Sequence, residues 1–190
     1  MRAWTSVVLV LALAGCRSGW HRRVPPFKYV FRPSAVPFME NPKFSFEIKR
    51  RWKGPTQVEG GVRFKHPGGA AAITVSYHLE GAPGWKDPRE YRRWMRQQGS
   101  TADSHIVDEV ELSSRAAAHV VFTTHEYSPE YLLGVKVAVA RTELFMLPDA
   151  QGIFLIRYDA PVGEFARHRR VLERLLDSLT LAIFETPVVE

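Results

Sequence analysis

The sequence predicts an α+β fold, a mostly antiparallel β-sheet covered by helices in an α/β/α sandwich, and three observations carry that expectation. Apolar residues alternate at period two in block after block beyond residue 40, the mark of strands with one buried face. Only two stretches show a helical period with capping residues at their ends. Turn-forming clusters separate successive strand blocks, an order that suits a meander with helices packed on it. The span 38–190 has the size of one domain and is long enough to bury a real core.

Taken in order, Phe44, Phe46 and Ile48 share one face of a first strand. Residues 58–64 and 71–79 flank the turn sequence His66-Pro67-Gly68-Gly69, and Ile73, Val75, Tyr77 and Leu79 alternate with more polar neighbours, so a hairpin is expected. Asp87 is an N-cap acid, Pro88 suits the first helical position, Glu90 stands three residues after the cap and Gly99 supplies a stop; together they predict a helix over 88–98. On that helix Tyr91, Trp94, Met95 and Gln98 gather on one side and Arg89, Arg92, Arg93 and Arg96 on the other, which should lay it on a sheet with its arginines outward. Strands follow over 106–112, 116–127 and 135–147, the first two joined by the polar corner Ser113-Ser114-Arg115. Residues 148–152 read as a turn before a strand over 153–158. A helix over 163–178 closes the domain with Phe165, His168, Leu172, Leu175, Leu176 and Leu179 as its buried stripe, and 179–184 form a last short edge strand.

The N-terminus carries an address. Arg2 gives a positive start, residues 7–14 an apolar run too short to span a bilayer, and Leu13-Ala14-Gly15-Cys16 ends it with small residues beside the chain's one cysteine. This pattern resembles the processing box of bacterial lipoproteins. The resemblance implies cleavage of a signal peptide over 1–15, a diacylglyceryl group on the Cys16 thiol and a third acyl chain, such as palmitate, on the new amino terminus. Two or three chains, at about 0.8 kcal/mol per buried methylene, make a lasting anchor. With that thiol alkylated no disulfide, thiolate ligand or thiolate nucleophile is left. Residues 16–37 read as a lipidated tether. They hold five basic side chains and no acid, while 38–190 carry 20 of each sign. Pro25, Pro26, Pro33 and Pro37 favour extended backbone, and the arginines would attract anionic headgroups at about 1 kcal/mol each. Arg17 stands where many lipoproteins kept in the inner membrane have aspartate, so the class resemblance favours the periplasmic side of the outer membrane.

The run Ile153-Phe154-Leu155-Ile156-Arg157-Tyr158-Asp159-Ala160-Pro161, then Phe165, Leu172, Leu175, Leu176 and Ser178-Leu179, resembles the C-terminal strand, Ala-Pro corner and helix of PsbP-like domains. The opening Phe44-Ser45-Phe46-Glu47-Ile48 strand followed by Trp52 resembles that family too, without the proline usually found before the tryptophan. The likeness extends over roughly residues 40–182 and lies in core positions. It implies the sandwich fold and its use as a docking or assembly surface, and it carries no catalytic or metal residues onto this chain.

Chemistry-bearing motifs are sparse. There is no Gly-x-Ser-x-Gly elbow, His-Glu-x-x-His helix, Gly-x-Gly-x-x-Gly turn or P-loop. His119 and His125 share a face of one strand, but six residues at about 3.3 Å each separate them too far for one ion. His66 and His78 approach only in a favourable hairpin register, and neighbours such as His125-Glu126 or His105 and Asp103 lack a nucleophile. No metal, no cofactor beyond the lipid on Cys16 and no enzymatic activity are therefore expected. The most distinctive surface feature is the face of Arg89, Arg92, Arg93 and Arg96, relieved on its own helix only by Glu90. It reads either as a contact for an acidic envelope protein or anionic lipid, or as a solvated face bridged to acids such as Glu80 or Asp103. An envelope address removes nucleic acid as a partner. Trp85 reads as an anchor or as a staple folded onto the core. The function expected is non-catalytic binding or assembly in the cell envelope, with an envelope hydrolase or a structural, stress-related lipoprotein as alternatives.

Overall fold

A computed structural model describes residues 25–31, 43–99, 105–128 and 135–181; the Leu13-Ala14-Gly15-Cys16 motif, most of the span 16–37 expected to be a tether, Asp103 and the residues after 181 lie outside them. The strands are β1 (Phe27–Phe31), β2 (Phe44–Ile48), β3 (Lys53–Val58), β4 (Gly61–Lys65), β5 (Ala72–Leu79), β6 (His105–Leu112), β7 (Arg115–Ser128), β8 (Val135–Asp149), β9 (Gly152–Pro161) and β10 (Thr180–Leu181). Two helices, α1 (Pro88–Gly99) and α2 (Val162–Asp177), accompany them. The main sheet runs β3-β4-β5-β9-β8-β7-β6, and a small sheet runs β1-β2-β10. All the pairings are antiparallel. The α+β expectation therefore holds in its layers, with one refinement: α1 covers one face of the main sheet, and α2 shares the other face with the small sheet.

Period-two alternation assigns each strand residue to one of the two faces. On β7, β8 and β9, Val121, Phe145, Phe154 and Ile156 enter the larger core with Phe44, Phe46, Leu172 and Leu175. Their immediate neighbours Val120, Leu144, Met146 and Ile153 point the other way and receive Met95 of α1. A slip of one residue in β8 would exchange the two cores, so burial on both faces fixes the register.

Tight two-residue turns hold the meander. Leu112 faces Arg115 across Ser113 and Ser114, whose φ values of 50° and 61° form the primed turn that matches strand twist. Serine is strained there; the Ser113 hydroxyl donates to the Leu179 carbonyl at 2.6 Å, which ties the turn to the end of α2. Asp149 faces Gly152, so β8 continues through Pro148 into what the sequence suggested was turn.

Helix α2 is amphipathic, with Glu164 in its first turn and Arg174 in its last, both favourable to the helix dipole. Phe165, Val171, Leu172 and Leu175 are its buried residues, each worth about 1.5–3 kcal/mol on transfer from water. Val171 replaces His168 and Leu176 in the expected stripe, since those two are only partly buried. Past the helix end, the Ser178 hydroxyl donates to the Arg174 carbonyl at 2.8 Å and accepts the Glu47 amide at 2.8 Å, fastening α2 to β2.

Two local expectations need correcting. Residues 27–31, read as part of a 16–37 tether, form β1, paired in register with β2 from Phe27↔Ile48 to Phe31↔Phe44. Phe27, Tyr29 and Phe31 supply a period-two face, and Phe31 stacks on Phe44 at 4.6 Å between ring centroids. The block 58–64 is in fact two strands, because Glu59-Gly60 is a hairpin turn with Gly60 at φ 65°. The extra strand, β3, is an exposed edge carrying Lys53 and Pro55, residues that discourage pairing with another chain.

Candidate functional site

The arginine helix is built as its capping residues dictate. Asp87 accepts the Arg89 amide at its Oδ1 (2.7 Å) and the Tyr91 amide at its carbonyl (2.9 Å). Met95 is 3% exposed against Val120, Leu144, Met146 and Ile153. Tyr91 and Trp94 pack at the flank of this cluster, with Trp94 edge-on to Phe122 at 6.1 Å. Trp85 joins the same cluster, so it is the staple and not an exposed anchor. Arg89, Arg93 and Arg96 are exposed. Arg92 is half-buried, its guanidinium 3.6 Å from Glu109 of β6, an acid the sequence reading did not name. That pair is solvent-accessible on both sides and adds little stability. Three of the four sequence-predicted arginines thus form an open cationic ridge on a rigid, capped helix.

The most heavily charged interior point lies on the opposite face. Glu143 of β8 is fully buried and is gripped by Arg169 of α2, Nε to Oε2 and NH2 to Oε1 at 2.8 Å each. His119 of β7 reaches the same Oε1 at 3.0 Å and stacks on Phe145 at 4.2 Å. The buried Nδ1 of His119 meets no acceptor, which suits the tautomer with hydrogen on Nε2 donating to Glu143. Burial pushes the Glu143 carboxyl up, but the hydrogen bonds from His119 and Arg169 and the charge of Arg169 outweigh it and hold it below the ordinary range. With both oxygens engaged, Glu143 locks α2 to the sheet and presents no free base to a substrate.

Two further clusters join residues distant in sequence. Lys43, fully buried, sets its ammonium 4.6 Å from the centroid of the Tyr77 ring, and burial lowers its pKa from 10.5 to about 8 against the opposing pull of Asp149. Tyr77 in turn donates to Asp149 at 3.1 Å, and Arg115 lies 3.1 Å from that carboxylate. The His66 and His168 rings lie 4.1 Å apart between centroids, tilted by 37°, with His168 at 3.0 Å from Glu164. His66 does not approach His78, which instead bonds Ser76 at 3.1 Å. Among the described residues no group of three or more His, Cys, Asp or Glu is placed to hold a metal ion, and no helix is long and apolar enough to cross a membrane.

Two surface clefts are shallow. One of about 270 Å³ lies between β2 and α2, lined by Glu47, Lys49, Val171 and Arg174. Another of about 450 Å³ is bounded by Phe27, Arg50, Trp52 and Phe64. The first also includes Asp177, and neither cleft is lined by a histidine.

This layered arrangement is the PsbP-like fold. Cyanobacterial PsbP (CyanoP) from Synechocystis sp. PCC 6803 matches 83% of this chain over 92% of its own, with a TM-score of 0.51 and 8% identity. A Bacteroides thetaiotaomicron VPI-5482 protein matches 83% of the chain at a TM-score of 0.52 and 15% identity, and the chain spans about half of that protein (48%). The Ran-binding protein Mog1p of Saccharomyces cerevisiae matches 84% of the chain over 96% of its own at a TM-score of 0.48 and 8% identity. No family model and no curated protein matches the sequence. At these identities the likeness defines the fold, and function rests on the site itself.

Proposed function

We propose that this chain is a lipid-anchored cell-envelope protein, held through acylated Cys16 at the periplasmic side of the outer membrane, whose PsbP-like domain binds another envelope component and catalyses no reaction. The observation that carries the binding reading is the ridge of Arg89, Arg93 and Arg96, exposed on a capped helix whose own acid on that side is Glu90 alone. Like charges so close on a helix repel, and an acidic partner relieves that repulsion. The anchoring rests on Leu13-Ala14-Gly15-Cys16.

Two experiments test the halves separately. Cys16→Ser should abolish fatty-acid labelling and release the chain from membranes; unchanged membrane retention rejects the anchor. Reversing Arg89, Arg93 and Arg96 to Glu should remove the chain's crosslinked neighbour in intact cells while leaving its fold and membrane fraction intact. An unaltered set of crosslinks rejects the ridge as a contact surface.

A further inference from the structure

The α1-side face of the main sheet changes character halfway across. Facing residues of an antiparallel ladder lie on the same face, so one rung can be followed from strand to strand: Thr56, Arg63, Thr74, Arg157, Leu144, Val120. Its β8 and β7 members are apolar and lie beneath α1. Its β3, β4, β5 and β9 members are polar, and Thr56 and Arg157 are exposed while Arg63 and Thr74 are half-exposed. The adjoining rung runs Lys65, Ala72, Asp159, Thr142, and Lys53 faces Lys65. The sequence therefore leaves half of this face uncovered and lines it with hydrogen-bond donors.

Its charge is one-sided. Asp159 is the acid of the strip and is already engaged at its Oδ1 by Arg157 Nε at 2.9 Å, Arg157 NH2 at 2.8 Å and the Thr142 hydroxyl at 2.7 Å. Arg63 and Lys65 have no acid partner among the described residues, and the buried Nε of Arg63 meets no acceptor. Standing two apart on β4, Arg63 and Lys65 have Cα atoms about 6.4–6.8 Å apart along the strand, the spacing of alternate side chains in any extended chain. Helix α1, about 10–12 Å across with its side chains, packs on β6 and β7 beside the strip, so the strip is recessed below its height. A planar bilayer resting on the arginine ridge cannot reach that floor. A polypeptide segment can.

We propose that this recessed strip, with Arg63 and Lys65 at its centre and Thr56 and Thr74 beside them, is a docking surface for an extended acidic segment of a partner protein. It is distinct from the arginine ridge, which lies on the β6 side of α1 where Arg92 meets Glu109. The inference rests on the envelope-binding reading for its setting.

The test places the photocrosslinking residue p-benzoylphenylalanine at Thr74 in the full-length chain, in cells of its source, with Thr180 on the opposite layer as a control position. A protein adduct at Thr74 and none at Thr180 is expected, with the linked peptide mapped by mass spectrometry to an acidic segment. Its yield should fall at least about tenfold in Lys65→Glu and several-fold in Arg63→Gln, in line with close charge pairs across interfaces. Adducts to lipid or glycan only, no adduct, a linked peptide that is not acidic, or a yield unmoved by either variant each overturn the proposal. Circular dichroism of both purified variants confirms that they are folded, and Lys65 is exposed, so its reversal leaves the core intact. Membrane fractionation of the same cells separates the two ideas. A chain retained through Cys16 that gives no Thr74 adduct loses the strip alone, and a chain found soluble with its adduct intact loses the anchor alone.

Discussion

Arg169→Met tests whether the buried carboxylate is the bolt between α2 and the sheet. The substitution keeps the apolar stem of the side chain and deletes both 2.8 Å bonds to Glu143, leaving a fully buried carboxylate with His119 as its remaining partner. Removing one partner of a buried pair costs about 3–5 kcal/mol. The lower end applies, because the Arg169 side chain is itself 39% exposed and is shared with Glu173 at 2.6 Å. A loss of about 3 kcal/mol corresponds to about 6–12 °C in melting temperature for a domain of this size. The dependence on pH gives the sharper readout. Glu143 is held below its ordinary range in the folded protein, so its contribution is complete above the unfolded carboxylate pKa and is lost as pH falls through the lower folded value. In the variant burial is opposed less, the carboxyl rises, and the contribution is already gone at milder acidity. The difference between the two proteins, followed by urea unfolding with circular dichroism, should be largest near neutrality and shrink as pH falls from the variant's raised value towards the parent's lower one. A loss under about 1 kcal/mol, or one that stays constant from neutral to acid pH, refutes the account.

Three other outcomes follow from single contacts. Leu172→Ala, at a fully buried position of α2, should cost about 2–5 kcal/mol in urea unfolding through the cavity it leaves. Asp87→Ala removes the cap from the Arg89 amide and should cost about 1 kcal/mol, with faster amide exchange confined to the first turn of α1. Lys43 titrates near 8 when folded and at its ordinary 10.5 when unfolded, so the unfolded state binds more protons between those values and stability rises with pH across that window. Lys43→Met should flatten this rise, worth on the order of 3 kcal/mol, and a pH profile identical to that of the parent protein would show that the ammonium is not desolvated there.

Much of the fold was legible because burial writes itself into local periodicity. Phe44, Phe46 and Ile48 on β2, the Asp87-Pro88 start of α1 and the alternation of β5 all survive into the structure within a residue or two. What escaped had its signal masked or scattered. The Phe27, Tyr29 and Phe31 alternation was hidden among prolines and basic residues typical of a linker, and exposed β3 has no apolar period to read. Glu143 is the single acid of the block 135–147, and nothing next to it in sequence marks a role. Its partners lie 24 and 26 residues away, and only strand pairing and the docking of α2 bring them together. For Arg89, Arg92, Arg93 and Arg96 the shared helix face was readable, because helical geometry is local. It did not give Glu109, which meets Arg92 across a tertiary contact. The bare strip on β4 was likewise invisible, since its meaning depends on which strands α1 covers.

The five matched rungs between β1 and β2 also decide how the domain meets a mechanical load. Tension arriving from the N-terminal side at Pro25 and directed along β1 shears all of those hydrogen bonds at once, since they run perpendicular to the strand. The same tension directed across the strand peels them one at a time, from Phe27 towards Phe31. Whichever surface holds the domain at its far side thereby sets the direction of pull, and with it how long the small sheet withstands stretching.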